Sequence, residues 1–264
     1  DINGNINDCT MTVTVEDNEL PTISNCPADI NADTDLGTCE AIVNWTEPTA
    51  TDNCAVTFTN DAPAFLPLGP TIVVWTAMDA TGNSSTCNAT VTVEDKVVPV
   101  ASCKDITVQL DATGNVSIVG ADVDNGSSDA CGIATMTLSQ ENFDCSHVGT
   151  NTVTLTVTDN NGNETTASAT ITVEDNMAPT VSASGVTVYL DENGSGTLSV
   201  ASTASGVTDN CSVASLTISI DGSAPAESVD FDCSRVGDGG TEAEILVTDG
   251  SGNSTSATAI IIAL

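Results

Sequence analysis

Positive charge is nearly missing from this 264-residue chain. Lys96, Lys104 and Arg235 stand against 37 acidic residues, and the formal net charge is -34. Phosphate recognition needs Lys and Arg, so nucleic acid and anionic membrane surfaces are excluded as partners. Aromatic residues are also scarce, at 3% of the chain. Cores must then rest on Val, Ile, Leu and Ala, and small domains of that kind need staples beyond apolar burial. Histidine occurs once, at His147, and none of the ten cysteines sits in a C-x-x-C pair, which argues against a zinc site. No stretch carries helical periodicity, and no apolar run reaches membrane-spanning length.

What is abundant is β-branched. Val, Ile and Thr recur throughout and 40% of residues are apolar, which separates this chain from acidic disordered ones. The expectation is an all-β fold. The strand motif Val13-Thr14-Val15-Glu16-Asp17 returns as Val91-Thr92-Val93-Glu94-Asp95 and as Ile171-Thr172-Val173-Glu174-Asp175. A self-similar period of this length is one small β-sandwich per repeat. A second motif, D-x-x-G-N, marks the same period at Asp79–Asn83, Asp159–Asn163 and Asp249–Asn253, with a further copy at residues 1–5. Its Gly suits a tight turn with positive φ.

The period divides the chain into residues 1–16, read as the last strand of a preceding repeat, and three full repeats at 17–95, 96–175 and 176–264, the last with a longer hairpin. The chain thus reads as a segment of a longer one. Around each D-x-x-G-N turn, apolar residues alternate with Thr. Val73, Trp75 and Ala77 precede the first turn, and Ala89, Val91 and Val93 follow it, so a terminal hairpin with one buried face is expected in each repeat. Earlier strands near 21–26, 39–46 and 55–60 complete a Greek-key sandwich. Ala259–Leu264 is apolar on both faces, which suits a covered junction or a strand that docks on another chain.

The repeats also allow the cysteines to be paired. Cys26 and Cys87 occupy first-strand and last-strand positions that both become Ala in the third repeat, at Ala183 and Ala257, so they are read as partners. By elimination within each repeat, Cys39 goes with Cys54, Cys131 with Cys145, and Cys211 with Cys233. The first of these sits awkwardly, because the strand limits place the two cysteines at opposite ends of neighbouring strands. Cys9 should pair upstream, and Cys103 is left over. Such bridges imply an oxidising, extracellular setting.

Three acidic groups recur: the Glu-Asp pair of each joint, the loop before the third strand (where Asp122 and Asp124 also lie), and the D-x-x-G-N turn. Sandwich topology carries each joint to the loops of the repeat that follows. Glu16, Asp17, Asp52, Asp79 and Asn83 are expected to converge; so are Glu94, Asp95, Asp129, Asp159 and Asn163; so are Glu174, Asp175, Asp209, Asp249 and Asn253. Carboxylates crowded without Lys or Arg repel one another. Ca²⁺, with six to eight oxygen ligands in flexible loops, resolves that repulsion, and solvated turn residues are the alternative. No EF-hand is present, because Ile133 stands where Asp122-Val123-Asp124-Asn125-Gly126 would need its closing Glu.

Enzyme signatures are missing. There is no nucleophile elbow and no phosphate-binding glycine loop. The paired acids recur in every repeat, whereas a glycosidase pair occurs once in a cleft. His147 is replaced by Pro67 and Arg235 in the other repeats, so it reads as a loop residue. Trp75 falls on the core face and Trp45 ends a strand, so core packing fits both better than sugar stacking.

Asn25-Cys26-Pro27, Trp45-Thr46-Glu47-Pro48, Thr51-Asp52-Asn53-Cys54, the Ala77-to-Asn83 turn and Val91-Thr92-Val93 together resemble the hyalin repeat (HYR), an Ig-like module. Cys103–Val108 and Ser127–Cys131 resemble the variant found in giant surface proteins of Bacteroidota, gliding adhesins among them. The resemblance implies tandem Ig-like sandwiches in an elongated extracellular array tied to adhesion, without catalytic activity. The expected role is a Ca²⁺-stiffened stalk whose partners are neighbouring repeats of the same long chain. A fibre of copies joined by strand addition through residues 1–16 is the alternative, as is a module that binds a glycan or protein through the Ile220–Pro225 excursion.

Overall fold

The computed structural model describes residues 2–4, 6 and 8–264, and the fold is all-β, a tandem of Ig-like sandwiches. Two compact units are distinguished. The first comprises the chain up to Pro99 with residues 128–134 and 158–164; the second comprises residues 100–127, 135–157 and 165–264.

In the first unit a four-stranded sheet runs in the order Ile30–Asp33, Ser84–Glu94, Gly69–Asp79, Val56–Asn60. Its outer strand is parallel to the last one, with Ile30 opposite Val91, and the other pairings are antiparallel. Two short antiparallel pairs, Thr22–Ser24 with Thr49–Thr51 and Glu40–Ala41 with Leu66–Pro67, accompany it. The alternation of Val and Thr builds the sheet. Val73, Trp75, Ala77, Ala89, Val91 and Val93 are all buried, and Ala41 and Leu66 join this core from the second short pair. Trp45 packs edge-on against Trp75, with ring centroids 6.2 Å apart.

Two further four-stranded sheets have the same design. One orders Ile133–Leu138, Gly149–Asp159, Glu164–Glu174 and Ile106–Gln109; the other orders Val186–Val188, Ser254–Ala263, Thr241–Asp249 and Val213–Ile220. The outer strands again run parallel to the last ones, with Ile106 opposite Ile171 and Val186 opposite Ile261. Val153, Leu155, Val157, Ala169, Ile171 and Val173 fill one core; Ala243, Ile245, Ala259, Ile261 and Ala263 belong to the other.

Some expectations give way. A strand at 39–46 shrinks to Glu40–Ala41, because the Ile42 amide donates to the Asp35 carboxylate (2.9 Å) and leaves the ladder. Residues 8–16 form no strand; Met11, Val13 and Val15 lie 82%, 68% and 90% exposed, and among the described residues no strand lies beside them to cover the apolar face. Asp1 and Asn5 of the fourth turn copy lie outside the described residues. The Ala259–Leu264 run is neither a sheet edge nor buried on both faces. It continues a strand with neighbours on both sides, burying Ile261 and Ala263 and exposing Ile260, Ile262 and Leu264. The Ile220–Pro225 excursion opens with a turn in which Asp221 meets Arg235 at 2.5 Å.

Candidate metal centres at the repeat joints

The D-x-x-G-N turns at Asp79, Asp159 and Asp249 each fold around their own Asp. Asp79 Oδ1 accepts the backbone N–H groups of Thr81 (2.8 Å), Gly82 (2.7 Å) and Asn83 (2.9 Å), while Asn83 Nδ2 donates to Asp79 Oδ2 at 2.8 Å. Gly82, Gly162 and Gly252 hold φ of 98°, 91° and 93°, a region that only glycine enters freely. The same Asn amide also grips the joint. Asn83, Asn163 and Asn253 donate to the carbonyls of Asp17 (3.0 Å), Asp95 (3.2 Å) and Asp175 (2.9 Å).

The joint Asp then turns inward in the same way three times. Its Oδ1 accepts the amide two residues on: Glu19 to Asp17 (3.1 Å), Val97 to Asp95 (3.0 Å), Met177 to Asp175 (3.2 Å). Its Oδ2 is buried with no hydrogen-bond partner in all three. The loop Asp of the following repeat fixes one oxygen likewise, on the amide of the next-but-one cysteine: Cys54 to Asp52 (3.0 Å), Cys131 to Asp129 (2.7 Å), Cys211 to Asp209 (2.9 Å). Asp52 Oδ1, Asp209 Oδ1 and Asn210 Oδ1 are buried and unpartnered as well.

These side chains form three clusters: Asp17, Asp52 and Cys54; Asp95, Asp129 and Cys131; Asp175, Asp209 and Asp249. In each, one ligand atom per residue lies within 4.8 Å of the others. Oxygens held at about 2.3–2.6 Å by one Ca²⁺ lie no more than about 5 Å apart, so the spacing of the Asp oxygens in each cluster suits a shared hard cation, to which the sulfurs of Cys54 and Cys131 add no ligand. Among the described residues no Lys or Arg pairs with a cluster: Lys96 bonds Asp33 and Glu94, and Arg235 bonds Asp221. A buried oxygen without a partner is costly, and carboxylates this close repel unless a cation joins them.

The adjacent Asp17 carboxylate, with burial, pushes the Cys54 thiol up to about 11. The neighbouring Cys54 thiol, the Glu19 amide and the Asn53 side chain hold the Asp17 carboxyl below its usual value. In Asp159 and Asp249 desolvation pushes the carboxyl up, but the Asn side chain and the turn amides outweigh it, and the net shift is downward. A depressed folded value contributes stability that is complete above the unfolded value of about 4 and is lost as pH falls through the folded one. Asp159→Asn, measured in chelator, should therefore cost about 1–3 kcal/mol at pH 7 and weaken the acid dependence of the melting temperature below about pH 4.

The structure separates some residues expected to converge. Glu16 is exposed, Glu94 bonds Lys96 (3.2 Å), and Glu174 accepts from Gln109 (2.6 Å). Adjacent residues on an extended backbone face opposite ways, so an inward Asp sends its Glu neighbour outward. Asp79, Asp159 and Asp249 are all taken up by their own turns; Asp79 and Asp159 lie outside the clusters, while Asp249 also belongs to one. Asp122 caps the Val119 amide (2.7 Å), and Asp124 accepts from Ser127 (2.9 Å). The amides of Asn53 and Asn210, which reach Asp17 (3.2 Å) and Asp175 (3.1 Å), were missed, although both follow the loop Asp directly in sequence.

The disulfides differ more. Cys26 bonds Cys87, but Cys39 bonds Cys131 and Cys145 bonds Cys211. The pairs Cys39–Cys54, Cys131–Cys145 and Cys211–Cys233 do not form, and Cys54 and Cys233 are free and exposed, as is Cys9; Cys103 is also free. Elimination within a repeat assumed that each repeat closes on itself. Instead, the cysteine beside the loop Asp bonds one from the preceding repeat.

Residues 16–93 match the HYR domain. The chain is 31% identical over 226 residues to hyalin of Strongylocentrotus purpuratus, covering 81% of this chain and 19% of that protein. It is 30% identical over 227 residues to hyalin of Lytechinus variegatus, covering 82% of this chain and 43% of the relative. The chain thus spans less than half the length of either. Among solved structures, a segment of three titin Ig domains aligns over 92% of this chain and 98% of the segment, at 10% identity and a TM-score of 0.37. The disulfides and the hyalin relatives place the chain outside the cell. No described helix is long and apolar enough to cross a membrane.

Proposed function

We infer that this chain is a structural segment of a large extracellular repeat protein, a stalk whose joints are stiffened by Ca²⁺ and by disulfides, with neighbouring repeats as its partners. One observation carries the reading: at three successive joints the same Asp buries a carboxylate oxygen with no partner, beside a second Asp whose spacing suits one cation. Mg²⁺ fits less well, since it demands near-ideal octahedral geometry and keeps its waters. Zinc fits less well because two of the three loop cysteines, Cys131 and Cys211, are already bridged. The linked repeats give the role its mechanical sense, since a cation binding only the folded joint favours that joint by mass action.

Calorimetric titration tests this. Ca²⁺ is expected to bind at the three joints with measurable heat, Mg²⁺ more weakly. Asp209→Asn should remove one site and leave the other two. Absence of Ca²⁺ uptake, or uptake indifferent to Asp209, would refute the reading.

A further inference from the structure

The two bridges between successive repeats follow one rule, and the chain carries both halves of a further bridge left open. Cys145 opens a short 3-10 turn, Cys145–His147, whose preceding Asp144 accepts the Ser146 amide at 2.9 Å. Its sulfur lies 3.7 Å from the Gly114 carbonyl and bonds Cys211. Cys233 repeats every part of this. It opens the turn Cys233–Arg235, Asp232 accepts the Ser234 amide at 2.9 Å, and its sulfur lies 3.7 Å from the Gly194 carbonyl. Gly114 and Gly194 both hold positive φ, 73° and 78°, and a Cβ at either would fall within 3 Å of the adjacent sulfur. Unlike Cys145, Cys233 is free and exposed.

The other half is Cys54. Its amide is held by Asp52 as those of Cys131 and Cys211 are held by Asp129 and Asp209, and both of those cysteines bond a sulfur of the preceding repeat. Cys54 is exposed and unbonded. The internal repeats thus serve as comparison structures: the same loops carry bonded sulfur where a neighbouring repeat is at hand.

We propose that Cys233 forms a disulfide with the Asp-x-Cys loop of a following repeat, and Cys54 with a cysteine of a preceding one, so that an unbroken relay of sulfur bridges runs from repeat to repeat. The complementary group is the Cys54-type loop of another HYR-like repeat, from the same chain or from a second copy. The oxidant is a small-molecule disulfide such as oxidised glutathione. The Cys233 thiolate attacks one of its sulfurs and releases one glutathione thiolate. The incoming loop thiolate then attacks the Cys233 sulfur and releases the second, so one S–S bond is consumed and one formed, while the two protons lost pass to the glutathione thiolates.

Two arms test the relay and separate the sources, both in a Cys9→Ser, Cys103→Ser background. In the first, chains carrying Cys54→Ser and chains carrying Cys233→Ser are incubated in a glutathione redox buffer, apart and together. Coupling between copies gives a disulfide dimer in the mixture and monomer in each alone. In the second, the chain is lengthened after Leu264 by Asp and a second copy of residues 176–264. Coupling within a chain protects Cys233 from alkylation, and Cys233→Ser leaves the added loop cysteine open to it. Success in either arm supports the relay and names its source. Cys233 that stays alkylated in the second arm with monomer in the first overturns it, as do dimers formed equally by each variant alone.

Discussion

Cys39→Ser with Cys131→Ser is expected to lower the stability of the first unit by about 4–5 kcal/mol, from the chain-entropy cost of closing a loop of that length. The two residues lie 92 positions apart. Few core substitutions in a sheet of Val and Ala reach that size, because such cores hold few large side chains to delete. The readout is built in. Trp45 and Trp75 are the chain's two tryptophans, both lie in the first unit, and they pack together. Denaturant unfolding followed by tryptophan fluorescence should shift to a lower midpoint in this variant. Cys145→Ser with Cys211→Ser acts in the second unit and should leave the tryptophan transition in place while lowering the remainder of the circular dichroism transition. An unmoved tryptophan midpoint in the first variant would show that the bridge adds no stability.

Saturating Ca²⁺ is expected to raise the melting temperature by roughly 5–10 °C. A ligand at 100 times its Kd stabilises the state that binds it by about 2.7 kcal/mol, and each kcal/mol moves a domain of 150–250 residues by about 2–4 °C. The effect should disappear in chelator and should not be reproduced by equal ionic strength of NaCl, since screening alone does not fill an unpartnered oxygen. Asp175→Asn with Asp209→Asn removes both acids that bury an unpartnered oxygen in the second unit's cluster. Its Ca²⁺-dependent shift should then be lost from the second unit and kept by the tryptophan signal of the first. A shift in both units, or in neither, would contradict a site built from those two residues.

The sheets were legible in the sequence because alternation is local. The placement of Val73, Trp75 and Ala77 against Ala89, Val91 and Val93 needs no knowledge of distant residues. The turn was legible for the same reason, since Asp79 bonds residues two to four positions on. The joint clusters were legible only through repetition, which showed that Asp17, Asp95 and Asp175 share one position. Their Glu neighbours were misplaced because a shared motif does not say which of two adjacent residues faces inward. The sulfur pairing was the least legible part. Cys39 and Cys131 meet through a loop whose approach depends on the joint between repeats, and nothing local to either cysteine records it.

The parallel pairing of Ile30–Asp33 with Ser84–Glu94 has a mechanical consequence. When a repeat is pulled by its two ends, the load falls along these strands in opposite senses, and their hydrogen bonds are sheared together rather than peeled one after another. Behind them the covalent tie from Cys26 to Cys87, 61 positions apart, shortens the path that force must follow, so the chain between them cannot run out as slack even after the sheet has yielded.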